Sequence, residues 1–426
     1  MRKKLLLVFG IAFLFRLVLA FLVWHPDVWN HMDWGVRFFQ YGAIGFFRPE
    51  SNVWNYTWPN QPPGTIYIYA GIKILFDFVF SIFWWVNVHV PIFPSIVMYF
   101  LEDNLYPAML KLPSIISDLG TAYLIYLILG KRHGLKGAIL YLYNPAIWYN
   151  SAVWGQTDSL ISFVVFLSVW LLMKRRIALS IVLFIFSLYI KISLLIFLPV
   201  YALYIYIKHK EFERFEVLKG VGVGLGLVGL MTLPFSQGEP FSWLYWLYTK
   251  KVLTNQLQVI TANAFNLWAG LTGIHEQSHT KIFLVFSYQT WGWILFLLCL
   301  LPMLYLLWKK RSDDVLLWVM AGTAFASFVL MTNMHERYLY PLFLYLTILA
   351  VRFRKIFWVF VSVSIINILN LYNFWWTPRI EPIIQIMSYG NRVLPRILGF
   401  VMFGIFVWFY RYLLTANRLD QIKRNI

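Results

Sequence analysis
The sequence predicts an all-α polytopic membrane protein, and three observations predict it. Hydrophobic residues make up 60% of the 426 and charged residues 13%, about half the charged share of a soluble domain. The apolar residues gather into about twelve runs that read as transmembrane helices, with the strongly polar stretches in the connections. Lysine and arginine cluster in alternate connections, the pattern of a chain threaded repeatedly through a bilayer. No Gly-Ser or Pro-rich linker, low-complexity tract or short-period repeat divides the chain, so residues 1–426 read as one membrane domain.

Residues 5–24 (LLLVFGIAFLFRLVLAFLVW) follow MRKK and, at roughly 1.5 Å per residue, are long enough for a first span. VLA at 18–20 resembles a signal-peptide cleavage site, but Arg16 interrupts the apolar core, so the segment is expected to stay in place. Residues 25–105 then form a large first external loop carrying amphipathic helices. Within it, 64–82 (GTIYIYAGIKILFDFVFSI) is expected to lie flat on the membrane, the alternative being a hairpin with 86–101. Further spans lie near 106–130, 137–153, 159–173, 177–190, 194–207, 218–235, 282–308, 315–332, 338–351, 355–372 and 395–414.

Orientation follows from charge. MRKK, KRHGLK (131–136), KRR (174–176), KHKEFERFEVLK (208–219), KKRSDD (309–314), RFRK (352–355) and the tail from Arg411 all fall on one side. They hold 23 of the 36 Lys and Arg against 6 of the 18 Asp and Glu. The positive-inside rule makes that side cytoplasmic, with both termini there. Counting 64–82 as a lone span would put most of the later clusters outside. The net charge of +18 therefore records orientation, and no nucleic-acid partner is needed to explain it.

The external boundary in this topology collects the polar stretches HPDVWNHMDWGVRFFQYG (25–42), WPNQPPG (58–64), LKLPSIISD (110–118), NSAVWGQTDS (150–159), YIKIS (189–193), TANAFNLW (261–268) and NMHERYLYP (333–341). Any one such residue ordinarily serves as an interfacial anchor or helix cap; their convergence on one face points to a site. Asp27 follows Pro26 at an expected helix start, where the dipole favours a carboxylate. His31 stands one turn on and can orient it as a base. Asp33 lies about 240° around the helix from Asp27 and has Arg37 at i+4, which favours an ordinary ion pair.

Arg337, just behind an apolar span and beside His335, sits at headgroup depth, where its planar fork can hold a phosphate. Lys111, Lys191 and Arg16 are further cations at or below this boundary, and Glu336 can neutralise one of them. Gln156 and Asp158 add hydrogen-bonding groups. HEQSH (275–279) spells HExxH, but it lies in an external loop with no evident third ligand, so no metal is expected. GLGLVG (224–229) lies inside an apolar span, where small residues serve close helix packing. Cys299 is the sole cysteine, so no disulfide and no cysteine-ligated metal site can be built from this chain. No P-loop accompanies it.

Taken in order, the motifs HPDVWNHMDWGVRFFQYGAIGFF, QPPG, LKLPSIISD, NPAIWYNSAVWGQTDSL, NAFNLW and MHERYLYP resemble those of GT-C type membrane glycosyltransferases that use polyprenyl- or dolichyl-phosphate sugars. The resemblance spans most of the chain; WGQTDS and MHERYLYP are its most specific parts. Gln61 stands where the family usually has an aromatic before the two prolines. The resemblance implies a GT-C-like fold and inverting transfer of a hexose, mannose or glucose, on the external face, with no cofactor. It implies Asp27 as general base, with Asp33 as the fallback. The donor phosphate falls to His335, Arg337, Lys191 and Lys111. His31, Gln156, Asp158, Asn263 and Glu336 are expected to contact substrate. Membrane lipids, the lipid-phosphate sugar and a glycan, lipid-linked or protein acceptor are the implied partners.

The main rival is a transporter or lipid flippase, which twelve spans also suit. Transporters usually show internal repeats and helices broken at the midplane. No two-half similarity is visible here, and an external loop of about 80 residues fits an enzyme better. A zinc peptidase built on HEQSH is a weaker rival, as is an assembly subunit that keeps the fold without activity.

Overall fold
A computed structural model describes residues 2–48, 58–253, 257–274 and 277–415. The described residues are almost entirely α-helical, with one two-stranded hairpin among them, Ile282–Phe283 against Phe286–Ser287, before the helix that opens at Tyr288. Helix α1 (Arg2–Leu22) crosses the bundle, and α2 (Asp27–Phe46) starts at its far end. Helix α3 (Pro63–His89) returns through a short turn into α4 (Ile96–Leu142), which breaks at Gly130, where φ is +70°. Among the described residues eight helices are long and apolar enough to cross a bilayer, α1, α3 and α4 included.

The helix expected at 64–82, flat or as a hairpin with 86–101, is present, and the structure shows the hairpin pairing. It is part of a 27-residue helix that pairs with the first third of α4 as a hairpin. Phe76 packs on Tyr106 with ring centroids 4.9 Å apart, and Phe76, Phe80 and Phe83 surround Met98, Leu101, Leu105 and Met109. Lys111 of α4 reaches the last carbonyls of α1, and Phe100 near the start of α4 stacks on Phe21 with ring centroids 6.1 Å apart, so this part of α4 lies against the end of α1.

The expected span at 137–153 is discontinuous. It consists of the end of α4, a turn at Tyr143–Asn144, a short α5 (Pro145–Trp148) and a π-turn (Tyr149–Trp154). Pro145 cannot continue the preceding ladder, and Asn144 caps the new start through Ala146 N at 3.0 Å. Helices α6 (Asp158–Met173) and α7 (Ile177–Ile190) follow, then a 3-10 segment (Ile192–Phe197) leading into α8 (Leu198–Ile207).

Helix α9 (Arg214–Ser236) lies along α7, and a Cβ on Gly220 or Gly224 would fall 2.9 or 2.8 Å from Ala178 or Ile185. The glycines thus serve close packing, as their setting in an apolar span suggests. Two short helices, α10 (Pro240–Leu247) and α11 (Leu267–Thr272), precede the last five: α12 (Tyr288–Lys310), α13 (Asp313–Leu330), α14 (Tyr340–Arg352), α15 (Arg354–Tyr372) and α16 (Glu381–Thr415). Helices α13 and α14 are buried along nearly their whole length at the centre of the bundle.

The two ends of the bundle differ. Arg175 pairs with Glu211 at 2.5 Å and Arg352 with Asp314 at 2.7 Å, so four of the basic clusters share one end. The turns containing Asp158, Lys191 and Arg337 lie at the opposite ends of the same helices, and Asp27 joins them through Trp154 and Gln156.

Candidate functional site
The site is assembled around the loop Trp154–Asp158. The π-turn delivers Trp154, and Gly155 follows in the left-handed region at φ +74°. A Cβ there would lie 2.9 Å from Lys111 Cγ, so glycine is required both by conformation and by space. The reversal aims Trp154 and Gln156 the same way. Trp154 Nε1 donates to Asp27 Oδ2 at 3.0 Å, and Gln156 Nε2 donates to the same oxygen at 2.6 Å.

Asp27 is the first residue of α2, and its side chain remains 20% exposed. His25 Nδ1 accepts from Asp27 N at 3.1 Å and lies 3.8 Å from Oδ1, so the ring proton sits on Nε2. Burial pushes the His25 imidazole down to about 3, leaving it neutral. Burial works to raise the Asp27 carboxyl, but Arg337, His25 and the Trp154 hydrogen bond outweigh it and hold the group below its ordinary value. Asp27 is thus a partly open, ionised carboxylate with one oxygen fixed.

Asp158 opens α6 at the other end of the loop. Its Oδ1 accepts from Lys191 Nζ at 2.9 Å, and its Oδ2 lies 3.7 Å from Arg337 Nε. Lys191 occupies the break between α7 and the 3-10 segment. The Arg337 guanidinium stands 5.7 Å from the ring centres of both Trp154 and Tyr338, while Lys191 stands 5.4 Å from Tyr338. One indole therefore touches the carboxylate through its edge and the guanidinium through its face.

The two cations lie at the polar end of a cavity of about 660 Å³. Its other end is apolar, between Leu194–Pro199 on one wall and Trp293, Phe296, Leu297 and Leu300 of α12 on the other. Six buried polar atoms of lining residues have no hydrogen-bond partner among the described residues: Gln61 Oε1, Asp158 Oδ2, Ser193 Oγ, His279 Nδ1, Asn333 Oδ1 and Arg337 Nε. Each such group left unpaired costs about 1–3 kcal/mol. Their concentration around one cavity marks it as the candidate binding site.

Several expected site residues have other roles. Asp33 pairs with Arg37 at 2.7 Å, as the i,i+4 spacing favours, and stands apart from Asp27. Lys111 is fully buried and donates to the carbonyls of Ala20 at 3.1 Å and Val23 at 2.6 Å. It caps α1, which its basic character alone did not reveal, and two of its three N–H groups are spent there. Arg16 is buried on Asp118 at 3.1 Å, with Ser151 and Ser159 each 2.6 Å from the same carboxyl. That network ties α1, α4, the π-turn and α6 together beneath the site.

His335 is kept neutral by burial and by the neighbouring Arg337 and Lys191, so it brings no positive charge to an anion. Glu336 is 1% exposed and donates no open oxygen to a substrate; it accepts from Arg337 Nη1 at 3.1 Å, and burial pushes its carboxyl up to about 7. Asn263, in the left-handed region at φ +67°, exchanges hydrogen bonds with Asn373 at 2.8 and 2.6 Å and supports the wall rather than reaching the cavity. His31, one helical turn on from Asp27, stacks on Tyr69.

His25, Trp154, Tyr338, Ser193 and Asn333 were not singled out from the sequence. All five lie inside stretches that point to this face, but nothing within those stretches sets them apart, and tertiary contact alone singles them out. Among the described residues no group of three or more His, Cys, Asp or Glu could hold a metal ion. His279 accepts or donates to Gln258 at 2.8 Å, while His275 and Glu276 of HEQSH lie outside the described residues. No protein-family model matches the chain, and a search of curated proteins gives no match.

Proposed function
We propose that the chain is a GT-C-like membrane glycosyltransferase with about twelve spans. It moves a hexose, mannose or glucose, from a polyprenyl-phosphate donor to a lipid-linked glycan, glycolipid or protein acceptor. The observation that carries this reading is the shared indole. Trp154 holds Asp27 on its edge and Arg337 over its face, at the head of a cavity that passes from two cations to an apolar groove. That is the order a lipid-phosphate sugar requires: base, sugar, phosphate, chain.

In this reading Asp27 takes the proton of the acceptor hydroxyl as that oxygen forms its bond to the anomeric carbon. The bond from that carbon to the phosphate oxygen breaks on the opposite face, with inversion, and the electron pair leaves on polyprenyl phosphate. Lys191 and Arg337 stabilise the negative charge that grows there. A base in position contributes about 10²- to 10⁴-fold. The basic clusters gathered at the far end support an orientation with that end and both termini cytoplasmic and the site external. Membrane lipid is the surrounding partner.

The test is incubation of the purified protein with a panel of labelled polyprenyl-phosphate hexoses and membrane extract as acceptor. Label is expected in a glycan, glycolipid or protein for at least one donor. Label that only changes leaflet, still on its original lipid, would favour a flippase.

A further inference from the structure
His31 and Tyr69 form a stacked pair, with ring centroids 4.5 Å apart and planes 20° apart. Both are almost fully buried, at 3% and 1% exposed. His31 Nδ1 and the Tyr69 hydroxyl nevertheless have no hydrogen-bond partner among the described residues. Most buried polar atoms are paired, so these two stand open to a ligand's hydrogen bonds.

Their position gives the reason. His31 is one helical turn from Asp27 on the same side of α2. Tyr69 is one turn from Thr65, whose Oγ1 donates to Ile190 O at 2.6 Å, next to Lys191. The pair therefore bridges the carboxylate and the phosphate cations, and both rings feel the charges of Asp27, Asp158 and Arg337. Burial pushes His31 down to about 4, so the ring is neutral and offers one donor and one acceptor. A tyrosine hydroxyl offers both as well.

We infer that the stacked His31–Tyr69 pair is the sugar-selecting element, binding two neighbouring hydroxyls of the pyranose ring being transferred. The inference rests on the proposed transferase reading. Two stacked rings, one presenting a hydroxyl that both gives and accepts and the other a neutral ring nitrogen that does one or the other, match a vicinal diol, whose hydroxyls each can give or accept a hydrogen bond. A charged pair would instead prefer the phosphate. Sites built to bond a hydroxyl discriminate strongly against the analogue that lacks it, because the protein group is then left unpaired.

The experiment compares the donor that the wild type uses with its monodeoxy analogues, for wild type, Tyr69→Phe and His31→Phe. Both variants keep an aromatic ring in the stack. Wild type is expected to prefer the parent sugar over one or two of the deoxy donors by at least about tenfold in kcat/KM. Each variant should lose about that factor on the parent sugar and little on one deoxy donor, so the preference collapses at a different hydroxyl for each. Binding of sugar-free polyprenyl phosphate, measured in parallel, should be unchanged, which shows that the variants are folded. Unchanged deoxy preferences in both variants would overturn the inference while leaving the transferase reading intact. A wild type that transfers no hexose would overturn both.

Discussion
Glu336 and Arg337 are adjacent in sequence and paired at 3.1 Å, yet burial favours the neutral acid, with its titration at about 7. Above that pH the carboxylate offsets part of the guanidinium charge; below it Arg337 is free to attract an anion. The donor is a phosphodiester and stays a monoanion throughout, so its affinity should rise about three- to tenfold as pH falls from 8 to 6. Glu336→Gln should flatten that profile. A donor KM in wild type that ignores pH would contradict the assignment. Because Asp27 is held below the ordinary carboxylate range and His25 at about 3, kcat should show no limb between pH 8 and 5. At this scale the sequence announced Asp27 and Arg337 through their neighbours, but it did not distinguish cations that face a ligand from those that hold a helix. Lys111 and Lys191 look alike in sequence; only the approach of α1 separates them.

At the scale of elements, α1 ends where Lys111 reaches across from α4. Replacing it by methionine leaves two buried carbonyls without their donor, at a cost of about 1–3 kcal/mol each. Lys111→Met should therefore lower the thermal unfolding midpoint while leaving the donor KM near wild type. The reverse pattern would restore Lys111 as a phosphate ligand. Most helices were legible from hydropathy: the expected spans at 159–173, 177–190 and 355–372 match α6, α7 and α15 within a residue. The α3–α4 hairpin was harder to read because a helix apolar all round looks the same whether lipid or another helix covers it. The break after Tyr143 was written in Asn144 and Pro145, but the π-turn that follows has no sequence signature.

At the scale of the molecule, the fold brings together groups from α2, the Trp154–Asp158 loop, the end of α7 and the turn before α14, more than 300 residues apart in the chain. Helices α13 and α14 occupy the middle of the bundle, so the turn between them has a fixed place at one end, and Arg337 with it. The opposite ends carry four of the basic clusters, which gives the bundle two chemically different ends. Alternation of charge along the sequence was enough to foresee that polarity; the cavity between the 3-10 segment and α12 was not, since its walls are ordinary apolar residues.

The most direct measurement separates binding from chemistry at Asp27. Purified wild type and Asp27→Asn are compared for donor binding and for single-turnover transfer of labelled hexose. The account predicts donor affinity within about threefold of wild type and transfer slowed by about 10²- to 10⁴-fold. Transfer at the wild-type rate by Asp27→Asn would contradict it.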